Sequence, residues 1–341
     1  MTPLQEETIL TSTLSDLMCR VAAPVTGVTR RRFLQAGATA VAAALAAGCA
    51  NRQTAAPVAG SATQTPSPMR TSRIRSSASD AVELAVFETG NPNGRPVIFI
   101  HGFAQSSESW SKQLSAPELQ HLRLIAFDLR GHGDSAKPLV KEAYHDNRRW
   151  AEDVRSVIRS TGAQRPAIVT WSYGGRVVND YLTAFGDGEI GSLNYVAATS
   201  TSAPFGQGRS ARLMVPMMSD DAMEAEKGTE AFLRACFARP PSAAELAQME
   251  RFNAKTPVAV RKLLAGRPAA YDDTLRAIRV PMLVTHGRED QISAVAMSEY
   301  THKLVPHSTL SVYEAIGHGT FFEDPTRFNA ELLALLAKQA A

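Results

Sequence analysis

The sequence predicts an α/β fold in which a mostly parallel sheet is covered by helices on both faces. Short apolar, β-branched runs alternate with helical patterns along the chain, which is typical of parallel strands joined by crossover helices. Two of these runs, 96–100 and 166–170, are almost entirely apolar, as expected for strands buried on both faces. The 341 residues suffice for one large domain with an insertion or for two small domains.

Seven stretches are predicted as strands and three as helices. The predicted strands are apolar or partly alternating and lie at 82–87, 96–100, 122–127, 166–170, 193–198, 281–285 and 309–313. The first of them alternates in part, which indicates a position near the sheet edge. The predicted helices have a helical pattern of apolar residues and lie at 147–160, 176–182 and 325–338.

Residues 203–273 interrupt the alternation of strands and helices. This segment has a helical pattern and is rich in Met and Phe. We predict a helical cap here, inserted after the strand at 193–198, so that the core consists of 81–202 and 274–341. Flexible thioethers and aromatic rings suit an apolar binding pocket. The alternative for any one of these residues, and the commoner role, is the interior of the cap itself.

The first 50 residues have the pattern of a targeting segment and not of a folded domain. Arg30, Arg31 and Arg32 precede Phe33 and an Ala-rich apolar run at 36–47, which is too short for a transmembrane helix of about 20 residues. The segment resembles a twin-arginine export signal. That resemblance implies folding in the cytoplasm and passage through the twin-arginine machinery to the periplasm.

A second processing motif follows at Ala46-Ala47-Gly48-Cys49. It resembles a lipoprotein box, although Ala46 stands where a larger aliphatic residue is usual. The resemblance implies lipidation of Cys49 and anchoring in a membrane, and the alternative is simple cleavage near Ala50. Residues 51–80 are rich in Ala, Ser, Thr, Pro and Gln, and this composition predicts a disordered tether.

The composition excludes several classes of function. The net charge is +3 without a long basic block, so no nucleic-acid partner is expected. Three cysteines, Cys19, Cys49 and Cys236, are too few and too scattered for a disulfide framework or a zinc site. No ligand cluster or phosphate-binding glycine loop is present, so neither a cofactor nor a metal is expected.

Ser172 is the candidate nucleophile. It lies between an apolar strand pattern and a helical pattern, on the tight turn known as a nucleophile elbow. Small residues are needed two places to either side because the two backbones pass closely there. Gly174 fits this requirement, whereas Thr170 replaces the usual first glycine. The alternative is a buried serine with no chemical role.

Four further motifs follow predicted strands in a recognisable order. The motifs are His101-Gly102, Asp128 to Ser135, His286 to Asp290 and Gly317-His318. Together with Trp171 to Gly175 they resemble the α/β-hydrolase superfamily over residues 82–337. Within it the chain is similar to small bacterial esterases, lactonases and cofactor-free haloperoxidase-like enzymes.

The candidate base is His318, which glycines flank in a loop after the last predicted strand. A serine hydroxyl needs such a base beside it, and the order Ser, acid, His is that of this fold. The resemblance implies Asp290 as the acid that orients the imidazole, because it matches the family's His-Gly-x-x-Asp pattern. Glu289, Asp128 and Asp134 are its competitors, and Asp128 is expected to brace its own loop.

The resemblance also implies an oxyanion hole made by the backbone N–H groups of Phe103 and Tyr173. His101 is expected to shape its loop by hydrogen bonding. The predicted function is an exported serine hydrolase that cleaves a carboxylic ester or lactone through an acyl-enzyme on Ser172. The alternatives are a haloperoxidase-like perhydrolase that uses the same triad and a non-catalytic binding protein with a hydrolase fold.

Overall fold

The structure is a computed structural model that describes residues 68–267 and 269–339. The predicted export signal, Cys49 and the tether up to residue 67 lie outside these residues. Within the described part of the chain, no helix is long and apolar enough to cross a membrane.

The described residues form one eight-stranded sheet, which confirms the predicted fold class. The strands are β1 (Arg70–Arg75), β2 (Glu83–Gly90), β3 (Pro96–Ile100), β4 (Arg123–Phe127), β5 (Ala167–Trp171), β6 (Ser192–Val196), β7 (Met282–Gly287) and β8 (Thr309–Tyr313). Their order across the sheet is β1-β2-β4-β3-β5-β6-β7-β8. The β1–β2 and β2–β4 pairs are antiparallel and the other five pairs are parallel. Each of the seven predicted strands corresponds to one of β2 to β8.

The helices lie between the strands and after the last of them. They are α1 (Ser111–Leu114), α2 (Glu142–His145), α3 (Asn147–Thr161), α4 (Gly174–Phe185), α5 (Ala222–Ala235), α6 (Ala243–Ala254), α7 (Val258–Leu264), α8 (Asp272–Arg276), α9 (Val295–Leu304), α10 (Thr320–Glu323) and α11 (Pro325–Ala337). The three predicted helices correspond to α3, α4 and α11. A left-handed Gly162 ends α3, where the absence of a side chain removes the steric cost of that conformation.

The prediction of a tether up to Asp80 is wrong from Arg70 onwards. β1 pairs with β2 along its whole length, and the salt bridge from Arg73 to Glu83 spans 3.1 Å. The side chain of Asp80 lies 2.8 Å from both Arg130 and Arg149. The polar composition that indicated disorder is that of an exposed edge strand, which is held by its backbone ladder and its charges instead of by an apolar face.

Apolar clusters cover both faces of the sheet. Each strand contributes to both clusters because successive strand residues point to opposite sides. In β3, Ile98 and Ile100 join one apolar cluster, while Val97 and Phe99 join the other. The first cluster continues into the inserted helices, and the second contains α11. The site is therefore built on a sheet that is fixed from both sides.

The helices α5, α6 and α7 lie in the insertion between β6 and β7, where the cap was predicted. Some of its Met and Phe residues are interior: Phe232, Met249 and Phe252 are buried in the first cluster. Met214 and Met218 instead line the cleft that contains Ser172. The predicted cap boundary at 273 falls inside α8, which packs on α4 and α9 beside the sheet.

The sheet order places the candidate site. From β3 the chain moves to β4 on one side and then returns to β5 on the other, so the carboxyl ends of β3 and β5 flank the point where the order reverses. Ligands of open α/β sheets bind at such a point. Phe103 follows β3, and Ser172 follows β5.

Candidate active site

Ser172 lies at the turn between β5 and α4 with a φ of +54°. A residue other than glycine is held in this region only when its surroundings over-determine it, at a cost of about 1–3 kcal/mol. Here the amide of Ser172 donates to the carbonyl of Val196 at 3.0 Å. Its own carbonyl accepts from Gly175 and Thr199, both at 2.9 Å. The turn has the strained geometry that the sequence predicts for a nucleophile elbow.

The glycine two residues after Ser172 is required by space. A Cβ atom on Gly174 would lie 2.6 Å from Thr170 Oγ1 and 2.8 Å from the carbonyl oxygen of His101. Thr170, at the position where a glycine is usual, is fully buried, and its hydroxyl has no hydrogen-bond partner among the described residues. The larger residue at 170 is therefore accommodated only because position 174 carries no side chain.

The structure brings Asp290 and His318 together. Asp290 follows β7, His318 follows β8, and Asp290 Oδ2 lies 2.6 Å from His318 Nδ1. The other carboxylate oxygen of Asp290 accepts from the amides of Ile292 and Ser293 at 2.8 and 2.9 Å. Burial by itself raises the pKa of Asp290, but the charge of His318 and hydrogen bonds from His286 and His318 outweigh it and hold the pKa below its ordinary value.

His286 is a contact of Asp290 to which the sequence analysis gave no role. Its Nε2 lies 3.0 Å from Asp290 Oδ2 and 3.0 Å from the carbonyl oxygen of Ser293. Two acceptors at this nitrogen indicate that Nε2 carries a proton, and Nδ1 then accepts from the hydroxyl of Ser298 at 2.7 Å. The available signal was the spacing, because His286 opens the motif that ends at Asp290.

The competing carboxylates lie elsewhere. The side chain of Glu289 is exposed. Asp128 is buried and accepts from the amides of Ser107 and Asp134, both at 2.7 Å, so it braces its own loop as expected. Asp134 forms a partly exposed salt bridge with Lys255 at 3.2 Å.

The imidazole of His318 lies beside Trp171, the residue before Ser172, with ring centroids 5.4 Å apart. The indole nitrogen of Trp171 donates to the carbonyl of His318 at 2.9 Å, and the amide of His318 donates to the carbonyl of Cys236 at 2.7 Å. His318 Nε2 is buried and has no hydrogen-bond partner among the described residues. It therefore makes no hydrogen bond to the Ser172 hydroxyl in this structure. Such bonds are often long in ligand-free enzymes and tighten when substrate binds.

The two amides predicted for the oxyanion hole are free of intramolecular bonds. Among the described residues, the N–H groups of Phe103 and Tyr173 donate to no acceptor, and both residues line the cleft with Ser172. A Cβ atom on Gly102 would lie 3.2 Å from Ser172 Cβ, so the β3 loop runs directly past the elbow. These amides are therefore available to a ligand oxygen.

His101 supports this loop, as predicted. Its Nδ1 lies 2.8 Å from the carbonyl oxygen of Gly102, and its Nε2 accepts from the amide of Leu129 at 3.0 Å. Burial lowers the pKa of His101 to about 4, although the hydrogen bond to Gly102 opposes this shift. A neutral imidazole therefore links the loops after β3 and β4.

The cleft above Ser172 has a volume of about 640 Å³ and is lined by apolar and polar residues. The apolar set, which we call the apolar wall, comprises Met214, Val215, Met218, Leu264, Ile292 and Met297. The polar lining residues include Arg176, Thr199, Thr201, Ser202, Arg212 and Arg267. Because Arg176 donates to the carbonyl of Arg267 and to Ser202, we call the group Arg176, Thr199, Thr201, Ser202 and Arg267 the arginine wall. A third arginine of the lining, Arg212, is exposed. Nothing in the local sequence of Arg176 or Arg267 predicted that they line the cleft.

The side chains behind the arginine wall form a buried network. Arg267 is 3% exposed and donates to the hydroxyl of Tyr173 at 3.1 Å and to Asn147 at 2.9 Å. It also forms a salt bridge with Asp180, which accepts from Tyr271 at 2.8 Å. Burial raises the pKa of Asp180 to about 6, and Arg267 opposes this shift. The network holds the hydroxyl of Tyr173, a residue that lines the cleft.

Metal-binding side chains are not grouped in this cleft. Across residues 68–267 and 269–339, no three His, Cys, Asp or Glu side chains are arranged to hold a metal ion. Cys236 is buried, and burial raises the pKa of its thiol. The thiol therefore stays protonated and is not a reactive thiolate.

The chain as a whole is similar to known esterases and to a haloperoxidase. The solved structure of a Burkholderia cenocepacia protein assigned as an aryl esterase is 36% identical, with a TM-score of 0.75 over 79% of this chain and 98% of that one. The esterase RhEst1 from Rhodococcus sp. ECU1013 is 33% identical, with a TM-score of 0.73 over 80% and 99%. A non-heme haloperoxidase from Rhodococcus erythropolis is 29% identical over 76% of this chain and 97% of its own.

A protein-family model matches more than half of the chain. It is described as the alpha/beta hydrolase family and matches residues 97–331, which run from β3 into α11. This range includes the elbow, the Asp290–His318 pair and the insertion between β6 and β7. The chain therefore belongs to the alpha/beta hydrolase family.

Proposed function

We propose that the protein is a serine hydrolase of carboxylic esters or lactones, with Ser172 as nucleophile, His318 as base and Asp290 as orienting acid. The observation that carries this proposal is the 2.6 Å contact between Asp290 and His318 beside a serine held at positive φ. The esterase relatives support the choice of an ester substrate.

Acylation follows from these positions. His318 Nε2 removes the proton of Ser172 as its oxygen attacks the ester carbonyl, and the ionised Asp290 stabilises the imidazolium. The carbonyl oxygen becomes an oxyanion between the amides of Phe103 and Tyr173, and one such donor contributes about 10²- to 10³-fold in rate. His318 then gives the proton to the leaving alcohol, and an acyl group remains on Ser172.

Deacylation repeats these roles with water. His318 removes a proton from water, the hydroxide oxygen attacks the acyl carbonyl, and the proton passes to the departing oxygen of Ser172. The products are a carboxylic acid and free enzyme. A lactone would give a single hydroxy acid by the same two steps.

Perhydrolysis is the second candidate, and the haloperoxidase relative favours it. In this reaction a carboxylic acid acylates Ser172 with loss of water, and hydrogen peroxide then resolves the acyl-enzyme to give a peracid. Peracid formation from acetate and hydrogen peroxide tests it directly. Hydrolysis of esters without peracid formation would eliminate this candidate, and a lack of both activities would favour a binding protein without catalysis.

The test of the hydrolase proposal is a p-nitrophenyl ester series from acetyl to long acyl groups, using the full chain. We expect Ser172→Ala and His318→Ala each to lower kcat/KM by about 10⁴-fold or more, with the double variant hardly worse, because such residues act as a unit. Ser115→Ala, at an exposed serine, is the matched control. Ser172→Ala turnover within tenfold of the parent would contradict the nucleophile assignment.

We also propose export to the periplasm through the twin-arginine machinery, with Cys49 as a lipid attachment site. The Arg30 to Arg32 cluster ahead of the apolar run supports the export route. Cell fractionation after replacing Arg30, Arg31 and Arg32 by Lys should show retention in the cytoplasm. Cys49→Ser should move the protein from the membrane to the soluble periplasm, and an unchanged distribution would contradict lipidation.

A further inference from the structure

Arg176 is a cation without a carboxylate partner in the wall of the cleft. It lies in the first turn of α4, four residues after Ser172, and lines the same cleft. Its guanidinium donates to the carbonyl of Arg267 and, at 3.4 Å, to the hydroxyl of Ser202. Among the described residues, no Asp or Glu forms a salt bridge with it.

The nearest buried carboxylate, Asp180 behind the arginine wall, already has two partners. Asp180 is paired with Arg267 and with the hydroxyl of Tyr271, and both of its oxygens are used. Arg267 is itself not saturated, because its Nε is buried and has no acceptor among the described residues. Two guanidinium groups thus face one carboxylate, and the wall carries one uncompensated positive charge.

Such a charge is costly without a counter-ion. A partly buried cation loses hydration that neutral acceptors replace only in part, and burial lowers the pKa of Arg176 accordingly. A guanidinium that has only a carbonyl and a hydroxyl as partners retains donors for a planar anion. Guanidinium geometry fits a carboxylate, which it can bind through two parallel hydrogen bonds.

We propose that Arg176 binds a carboxylate of the substrate, so that the preferred substrates are esters that carry an anionic carboxylate beside an apolar body. The apolar wall, with Met214, Met218 and Met297, suits that body. The inference rests on the proposed esterase function and adds a substrate class to it. The carboxylate belongs either to the acyl part or to the alcohol part of the ester, and the two are separable by experiment.

The experiment uses two matched pairs of esters in a pH-stat assay. For the acyl part, monoethyl glutarate is compared with the analogue in which an isopropyl group replaces the carboxylate. For the alcohol part, the acetate ester of γ-hydroxybutyrate is compared with its isopropyl analogue. The measured quantity is the ratio of kcat/KM for the charged ester to kcat/KM for the uncharged one, which cancels changes in the chemical step.

We expect a ratio of about 10 to 100 in one pair for the parent enzyme, the range of a hydrogen-bonded charge pair. Arg176→Gln should bring this ratio to about 1 or below, and Arg176→Lys should restore part of it. Arg251→Gln is the matched control, because Arg251 is exposed on α6 and does not line the cleft. The pair that shows the preference identifies the part of the ester that Arg176 contacts.

A parent ratio of 1 or below in both pairs, or a ratio unchanged in Arg176→Gln, would overturn this inference. If Arg176→Gln does not fold, the parent ratio and its decrease in Arg176→Lys decide instead. Failure of the proposed function looks different, since uncharged esters would then show no turnover that depends on Ser172. The two failures are therefore distinguishable in one set of assays.

Discussion

The loop after β7 and the network behind the arginine wall each contain a buried carboxylate, but the two carboxylates are in opposite situations. Asp290 accepts from two backbone amides and contacts two imidazoles, and its pKa lies below the ordinary value. Asp180 accepts from one arginine and one tyrosine, and burial raises its pKa to about 6. The first carboxylate is held ionised well below neutral pH, whereas the second is mostly ionised at pH 7 and takes up a proton near pH 6.

This difference indicates a separate role for each region. Proton transfer needs an acid that stays ionised while its histidine gains a proton, and four donors around Asp290 provide this condition. The arginine wall instead holds a surplus of positive charge, with one carboxylate shared between Arg267 and Tyr271. Under the proposed function, we expect the reaction to take place at the strand ends and the arginine wall to set the substrate preference.

The largest effect on this comparison is expected from Asp290→Asn. An amide cannot stabilise the imidazolium and favours the wrong imidazole tautomer, which slows serine triads by about 10⁴-fold. Glu289→Gln is the matched control because its side chain is exposed, and it should retain kcat within about twofold. Steady-state ester hydrolysis measures both, and the reverse pattern would place the acid at Glu289.

A smaller effect is expected from His286→Leu, which removes one donor from Asp290. We expect kcat to fall by about 10- to 100-fold with little change in KM, since hydrogen bonds to charged groups contribute about 1.5–3 kcal/mol. His286→Gln retains a donor and should recover part of the rate. Equal kcat in the parent and in His286→Leu would show that His286 does not position the acid.

The smallest effect concerns Asp180 and the pH dependence of stability. Because the folded pKa is about 6 and the unfolded value is lower, the folded chain binds a proton that the unfolded chain releases. This contribution is fully present below pH 4 and is lost as the pH rises through 6, by about 1 kcal/mol between pH 5 and 7.

Denaturant unfolding of the parent and of Asp180→Asn at pH 5 and 7 measures this difference. The free energy of unfolding of the parent should fall relative to the variant as the pH rises. A parent that gains stability relative to Asp180→Asn over this interval would mean that Arg267 outweighs burial. The two carboxylates would then be alike, and the comparison would lose its basis.

The geometry of the candidate active site was largely predictable from sequence because each of its motifs is local. A strand, a glycine and a polar residue within six positions predicted the elbow at Ser172. Asp290 came from the resemblance to the α/β-hydrolase superfamily, whose His-Gly-x-x-Asp pattern it matches. The same reasoning placed His101 in loop support. Backbone geometry at strand ends is encoded by neighbours in sequence, so short motifs carry it.

The arginine wall was not predictable because its contacts join distant parts of the chain. Arg267 lies near the C-terminal end of the insertion and contacts Tyr173 and Asp180. No local sequence pattern predicts such a contact. β1 was missed for a related reason, since an edge strand of polar residues has the composition of a linker. Both features depend on tertiary partners and not on periodicity.

The central claim is that Ser172 becomes acylated, and covalent trapping tests it most directly. The full chain is treated with diethyl p-nitrophenyl phosphate, and peptide mass spectrometry locates the diethylphosphoryl group. We predict one adduct, on Ser172, that is lost in Ser172→Ala and forms far more slowly in His318→Ala. An adduct on another residue, or equal labelling of the Ser172→Ala protein, would contradict the account.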